Sequence, residues 1–196
     1  MVKNNLNINS IFKYFKIKTI VFDKTGTITQ GVPNVIKFCS FVEKINKAKI
    51  LAIIGTAEQS SEHPLGKAIV KYVKEELRVE AIGKCTNYSA EPGRGLRASV
   101  SQIEHFNNNQ SVESSNEIFS CIRSNCELNI EETFIKEDSL EKEYKVLIGN
   151  RNWITSDNNI PISIECEKLM NHYESMGCTS VICAINGKFI SLVDAF

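Results

Sequence analysis

The sequence lacks net charge: 23 lysines and arginines are balanced by 23 aspartates and glutamates. That balance excludes the basic excess that a nucleic-acid backbone demands of its partner, so no nucleic acid is expected. Long apolar runs are also missing. The stretch Ile50–Ile54 falls far short of the roughly 20 residues needed to cross a bilayer. Residues 1–18 lack the apolar block and small-residue cleavage site of a secretion signal, so the chain by itself reads as soluble and cytosolic. Its seven cysteines are an odd set with no Cys-x-x-Cys, which points away from a disulfide framework or zinc ribbon and towards free thiols. Cys121 and Cys126 lie in an Asn/Ser/Glu-rich stretch without supporting ligands, and no internal repeat is evident.

What is present alternates between two periodicities. Ile17–Phe22 is a β-branched run that ends at Asp23 and is followed by the Gly26 turn, the pattern of a buried strand delivering a side chain to a site. Val35–Val42 reads as a strand. Lys47–Ser60 places Ile50, Leu51, Ile53, Ile54 and Ala57 at helical spacing, and Leu65, Ala68, Ile69, Tyr72, Val73 and Leu77 trace a second helix face. Ser60 and Ser61 are candidate caps for that helix and Pro64 suits its first turn. Ala81–Ser101 turns to short strands punctuated by Pro92, Gly93 and Gly95. Ile103–Glu143 is rich in Asn, Ser and Glu without periodicity and is expected to be a largely disordered insertion. Tyr144–Ile148 is a strand, Ser163–Ser175 a helix, and Ser180–Ile185 with Lys188–Val193 a hairpin around Asn186-Gly187.

One string carries chemistry. Asp23-Lys24-Thr25-Gly26-Thr27 stands at a strand end, and a Gly turn accounts for Gly26 alone. An aspartate with an ordinary pKa near about 3.9 is ionised at neutral pH and attacks phosphorus without a base to deprotonate it. The product of such an attack is an aspartyl phosphate. A carboxylate approaching an anionic phosphate needs charge neutralisation, the usual office of Mg²⁺.

This string, continued by Ile28-Thr29, resembles the phosphorylation signature of the P-type ATPases. The resemblance implies ATP and Mg²⁺ as cofactors, Asp23 as phosphoryl acceptor, Asp23 and the Thr25 carbonyl as Mg²⁺ ligands, and Lys24 and Thr27 as the frame of the phosphate site. Phosphatases of the related haloacid dehalogenase superfamily usually carry a second aspartate where Thr25 stands. Threonine has no acid of useful pKa for protonating a leaving group, which favours an ATPase over a small phosphatase.

Three further segments resemble the nucleotide-binding domain of the copper-transporting, heavy-metal subgroup. They are Gly55-Thr56-Ala57-Glu58 with Ser61-Glu62-His63-Pro64-Leu65-Gly66, then Gly93-Arg94-Gly95, then Gly149-Asn150-Arg151. By that resemblance His63 offers adenine a ring face and Glu58 accepts from its exocyclic amine. Gly93 and Gly95 let backbone approach ribose and phosphates, Gly149 is a further matching nucleotide-site position, and Asn150 bonds the sugar or phosphate region. Arg94 reads as solvated and Trp153 as a core residue.

The expected architecture is α+β: an antiparallel sheet flanked by helices, following a fragment of a Rossmann-like phosphorylation domain. Residues 1–15 are an unmatched tail, 16–30 the phosphorylation-domain fragment, 31–190 the nucleotide-binding domain with its insertion at 103–143, and 191–196 the start of a return to the phosphorylation domain. The later Thr-Gly-Asp and Gly-Asp-Gly segments, membrane helices and Cys-Pro-Cys ion site of the family are not in the sequence. The expectation is therefore a cytosolic portion of a Golgi or plasma-membrane pump, whose partners are ATP and the remaining pump domains, with copper engaged only through parts not present here. Little or no phosphorylation of Asp23 is expected in this chain alone. Two other readings stay open at this stage: a non-enzymatic nucleotide-binding or interaction module, and a zinc- or cadmium-type pump.

Overall fold

The structure, a computed structural model, describes residues 19–23, 31–42, 45–103, 106, 119–121 and 143–196. The chain divides into two units, Met1–Gly31 and Val32–Phe196. In the first, residues 19–23 have no regular secondary structure and are exposed, Val21 at 88% and Phe22 at 63%. This corrects the buried strand expected at Ile17–Phe22. A strand exists only through backbone pairing with a neighbour, and none of the paired strands among the described residues includes these positions. Lys24, Thr25 and Thr27 lie outside the described residues.

The second unit is built on β1 (Val35–Ser40), α1 (Lys47–Glu58), α2 (Pro64–Leu77), β2 (Lys84–Glu91), β3 (Gly95–Ser101), β4 (Phe119–Cys121), β5 (Tyr144–Gly149), a π-helical turn (Trp153–Asp157), α3 (Ile164–Ser175), β6 (Thr179–Ile185) and β7 (Lys188–Ala195). The strands form one sheet in the order β2-β3-β5-β6-β7-β1-β4. Every neighbouring pair is antiparallel except β1 and β4. The expected antiparallel sheet flanked by helices is therefore present. Phe119–Cys121 departs from the insertion read as disordered, because it pairs in parallel with Phe38–Ser40. Ile103 and Phe106, from the start of that insertion, are buried; most of the remainder lies outside the described residues.

Period-two alternation assigns the two faces of the sheet. In β6, Cys183 and Ile185 join the core beneath α1 and α2, while Ile182 and Ala184 join a second core beneath α3 and the π-helical turn. The hairpin joining β6 to β7 turns at Asn186 and Gly187, with φ of 50° and 74°. Positive φ at both positions matches the right-handed twist of the strands, so Asn-Gly was a reliable signal there.

Helix α1 is buried on nearly all sides. From Ile50 to Glu58 it is buried without a break, because it is sandwiched between the sheet and α2. Asn46 caps its start, its Oδ1 accepting from the Ala48 N–H at 2.8 Å. Gly55 is what lets α2 come close: a Cβ there would stand 2.6 Å from Val73 Cγ1 and 2.9 Å from Ile82 Cδ1. The outcome of this packing is that α1 ends, at Glu58, beside the start of α2 and facing the β2–β3 end of the sheet.

Candidate functional site

Glu58 is the last residue of α1 and is buried, 6% exposed. Burial strips water from its carboxylate and pushes its pKa up to about 7, against the pull of a hydrogen bond from Ser61. Its place at a helix C-terminus, where backbone carbonyls point outward, adds to the reluctance to ionise. Gly66 holds the opposite side of this acid: a Cβ there would collide with Glu58 Oε2 and with the Ser61 side chain, its Cβ 2.7 Å away. The short link between α1 and α2 thus wraps around a carboxyl group whose pKa is raised by burial.

The cap of α2 is not Ser60 or Ser61. It is His63, whose Nδ1 accepts from the Leu65 N–H at 3.2 Å, with Pro64 in the first turn. Ser61 instead receives the His63 N–H at 3.4 Å. A ring nitrogen held as acceptor leaves the proton on Nε2, so the exposed edge of His63 is a donor. Both faces of its tether are fixed by backbone bonds.

Across from this link lies the turn between β2 and β3. Gly93 has φ of 73°, and nothing lies within 4 Å of where its Cβ would be. That is a turn glycine facing open space. Gly95 and Gly149 differ: they oppose one another in register, and a Cβ on Gly95 would stand 2.6 Å from the Gly149 Cα and 2.7 Å from Trp153 Cζ3. Their missing side chains are filled by the protein itself. Trp153 is 2% exposed, in agreement with the core reading, and the Arg97 guanidinium lies 5.1 Å from its ring.

Asn150 is a clasp. Its Nδ2 donates to the Gly93 carbonyl at 2.9 Å, its Oδ1 accepts from the Trp153 N–H at 2.9 Å, and its backbone N–H donates to the Arg94 carbonyl at 2.8 Å. One side chain therefore ties the Gly93 turn to the start of the π-helical turn. Arg94 is exposed and pairs with Asp157 at 2.9 Å.

Glu58, His63, Gly93, Gly95, Gly149 and Asn150, scattered through the sequence, all line one cavity of about 630 Å³. That size lies in the range of small-molecule sites, about 300–1,000 Å³. Asp23 belongs to the other unit, in its exposed segment. Sequence reasoning missed Tyr88, Leu96 and Ile148, which contribute to the apolar part of the lining. The two aliphatic residues read only as strand interior, and Tyr88 carried no signal. A second groove, about 750 Å³, shares Glu58 and Ser61 but is otherwise walled by the solvated face of α2, including Lys67, Lys71 and Lys74. It lacks the convergence of apolar and polar groups that the first has. Among the described residues no three His, Cys, Asp or Glu side chains gather as a metal cage.

The chain is similar to known proteins over most of its length. Residues 17–183 match the sequence model of haloacid dehalogenase-like hydrolases. Copper-transporting ATPase 2 of Homo sapiens is 40% identical over 181 residues, covering 91% of this chain and 12% of that protein. Copper-transporting ATPase 1 of Mus musculus is 38% identical over 191 residues, covering 91% and 13%. The chain thus spans about an eighth of the length of these relatives. Among solved structures, a zinc-transporting PIB-type ATPase in its E2.Pi state superposes with a TM-score of 0.54 at 24% identity, over 89% of this chain and 20% of that one. The likeness supports the fold. No helix among the described residues is long and apolar enough to cross a membrane.

Proposed function

Since this chain belongs to the haloacid dehalogenase-like hydrolases, a family of enzymes, we propose that it is the ATP-binding and phosphorylation-site region of a copper(I)-translocating P-type ATPase. The observation that carries this reading is the convergence of Glu58, His63, Gly93, Gly95, Gly149 and Asn150 on one cavity. The identity to copper-transporting ATPases over 91% of the chain supports copper over other ions.

The cavity fits a nucleotide. Glu58 is a buried acceptor suited to the exocyclic amine of adenine, and the exposed ring of His63 presents a face and a donor edge. The open space above Gly93 admits ribose and phosphates along the turn backbone. Asn150 acts through that turn by holding Gly93 in place. By the resemblance, Asp23 and the Thr25 carbonyl would hold Mg²⁺, an ion whose hard charge suits oxygen donors of this kind. The ion supplies neutralisation of phosphate charge when bound. Asp23, exposed, is the acceptor that takes the γ-phosphoryl group of ATP as an aspartyl phosphate in the complete pump, ADP leaving.

Calorimetric titration of the full chain with ATP and Mg²⁺ tests the reading. Saturable single-site binding is expected. Absence of binding at millimolar nucleotide would reject it.

A further inference from the structure

Strand β2 is irregular at one point. Thr86 pairs with Ser99 and Ser89 with Arg97, so Asn87 and Tyr88 together stand against Ala98 alone. This is a β-bulge, two residues opposing one. Asn87 takes the left-handed backbone, φ 50°, and its Nδ2 donates to Ser99 Oγ at 3.4 Å. Asn is among the few non-glycine residues that adopt that conformation readily.

The bulge decides where Tyr88 points. Cys85 pairs with Val100 on the face beneath α1 and α2. Strict alternation from Cys85 would send residues 87 and 89 to that face and Tyr88 to the other. The extra residue shifts the phase, so Tyr88 joins Ala90 and Leu96 on the cavity side. Tyr88 is half-buried there and packs partly on the core. Its hydroxyl has no protein partner among the described residues. Tyr88 and His63 are the aromatic side chains lining the cavity, with Glu58 as the buried acceptor of the same lining.

The geometry points to Tyr88 as the stacking wall for the purine ring of the bound nucleotide, a binding residue delivered by the Asn87 bulge. An aromatic face that is half-buried, without a ring partner among the described residues and set in the apolar part of the lining is what a heteroaromatic base stacks on. Leu96 and Ile148 extend that apolar wall. Glu58 then reads the edge of a base whose plane Tyr88 fixes. The inference rests on the nucleotide-binding reading above.

Calorimetric titration of the full chain and of Tyr88→Phe and Tyr88→Leu with ATP tests it. Leucine keeps apolar bulk against the core but loses the ring, and phenylalanine keeps the ring. The expected result is wild-type affinity in Tyr88→Phe and a loss of about fivefold or more in Tyr88→Leu, with the two variants melting at similar temperatures. Unchanged affinity in Tyr88→Leu overturns the stacking role, as does an equal loss in both variants. Failure of the wild-type chain to bind ATP would instead overturn the nucleotide-binding reading itself, so the two failures are distinguishable.

Discussion

Gly95 and Gly149 stand directly opposite each other between β3 and β5, and the Trp153 ring occupies the space their side chains would take. The two glycines therefore both line the cavity and make room beneath it. They let the tryptophan seat itself under the floor, which in turn anchors the Asn150 clasp on the Gly93 turn.

Gly149→Ala tests that arrangement. Its Cβ would stand 2.5 Å from the Arg94 carbonyl oxygen and 2.9 Å from Trp153 Cζ3, a backbone atom and a buried ring that do not yield freely. Overpacking of this kind costs about 1–3 kcal/mol. Urea unfolding should show that loss, and ATP affinity should fall because the Gly93 turn moves with Arg94.

Glu58 makes stability pH-dependent in an unusual direction. Its folded pKa is raised from 4.5 to about 7, so between those values the native state holds a proton that the unfolded chain has released. Stability is therefore fully present below about pH 4.5 and is lost as pH rises through about 7. Asp194, buried and bonded by Ser180, is raised to about 6 by desolvation and adds a slope of the same sign. Glu58→Gln should remove its share, raising stability at pH 8 by about 2–3 kcal/mol and leaving stability at pH 4 little changed. Denaturant melts at the two pH values provide the check.

His63 has two jobs that substitution can separate. Asparagine is a good N-cap, whereas alanine forfeits the bond to the Leu65 N–H, at a cost of about 1 kcal/mol. His63→Asn should melt like the wild type yet bind ATP more weakly, while His63→Ala should lose both. Equal ATP affinity in wild type and His63→Asn, measured by calorimetry, would leave His63 as a cap only.

The pattern of what sequence reveals follows from locality. The helices α1 and α2, the strands β1 and β5 and the Asn186-Gly187 hairpin are set by spacing and turn chemistry within a dozen residues, and all were legible. The resemblance named Glu58, His63, Gly93, Gly95, Gly149 and Asn150, and the fold brings all of them to one cavity lining. The packing and clasp roles of Gly95, Gly149 and Asn150 were not legible, because their partners, Trp153 and Gly93, are brought to them by the fold. The same nonlocality hid the Asn87 bulge, which depends on the register against β3, and the pairing of Phe119–Cys121 with β1. Ile17–Phe22 read as a buried strand from its β-branched run, yet such a run does not supply a pairing neighbour, and its described residues have none.

The central claim is that nucleotide binds between the α1–α2 link and the β2–β3 turn, and amide-resolved NMR of the full chain titrated with ATP tests it most directly. The account predicts shifts that saturate together at Glu58, His63, Tyr88, Gly93, Gly95 and Gly149. Shifts confined to the α2 groove at Lys67, Lys71 and Lys74, or no shifts at millimolar ATP, would contradict it.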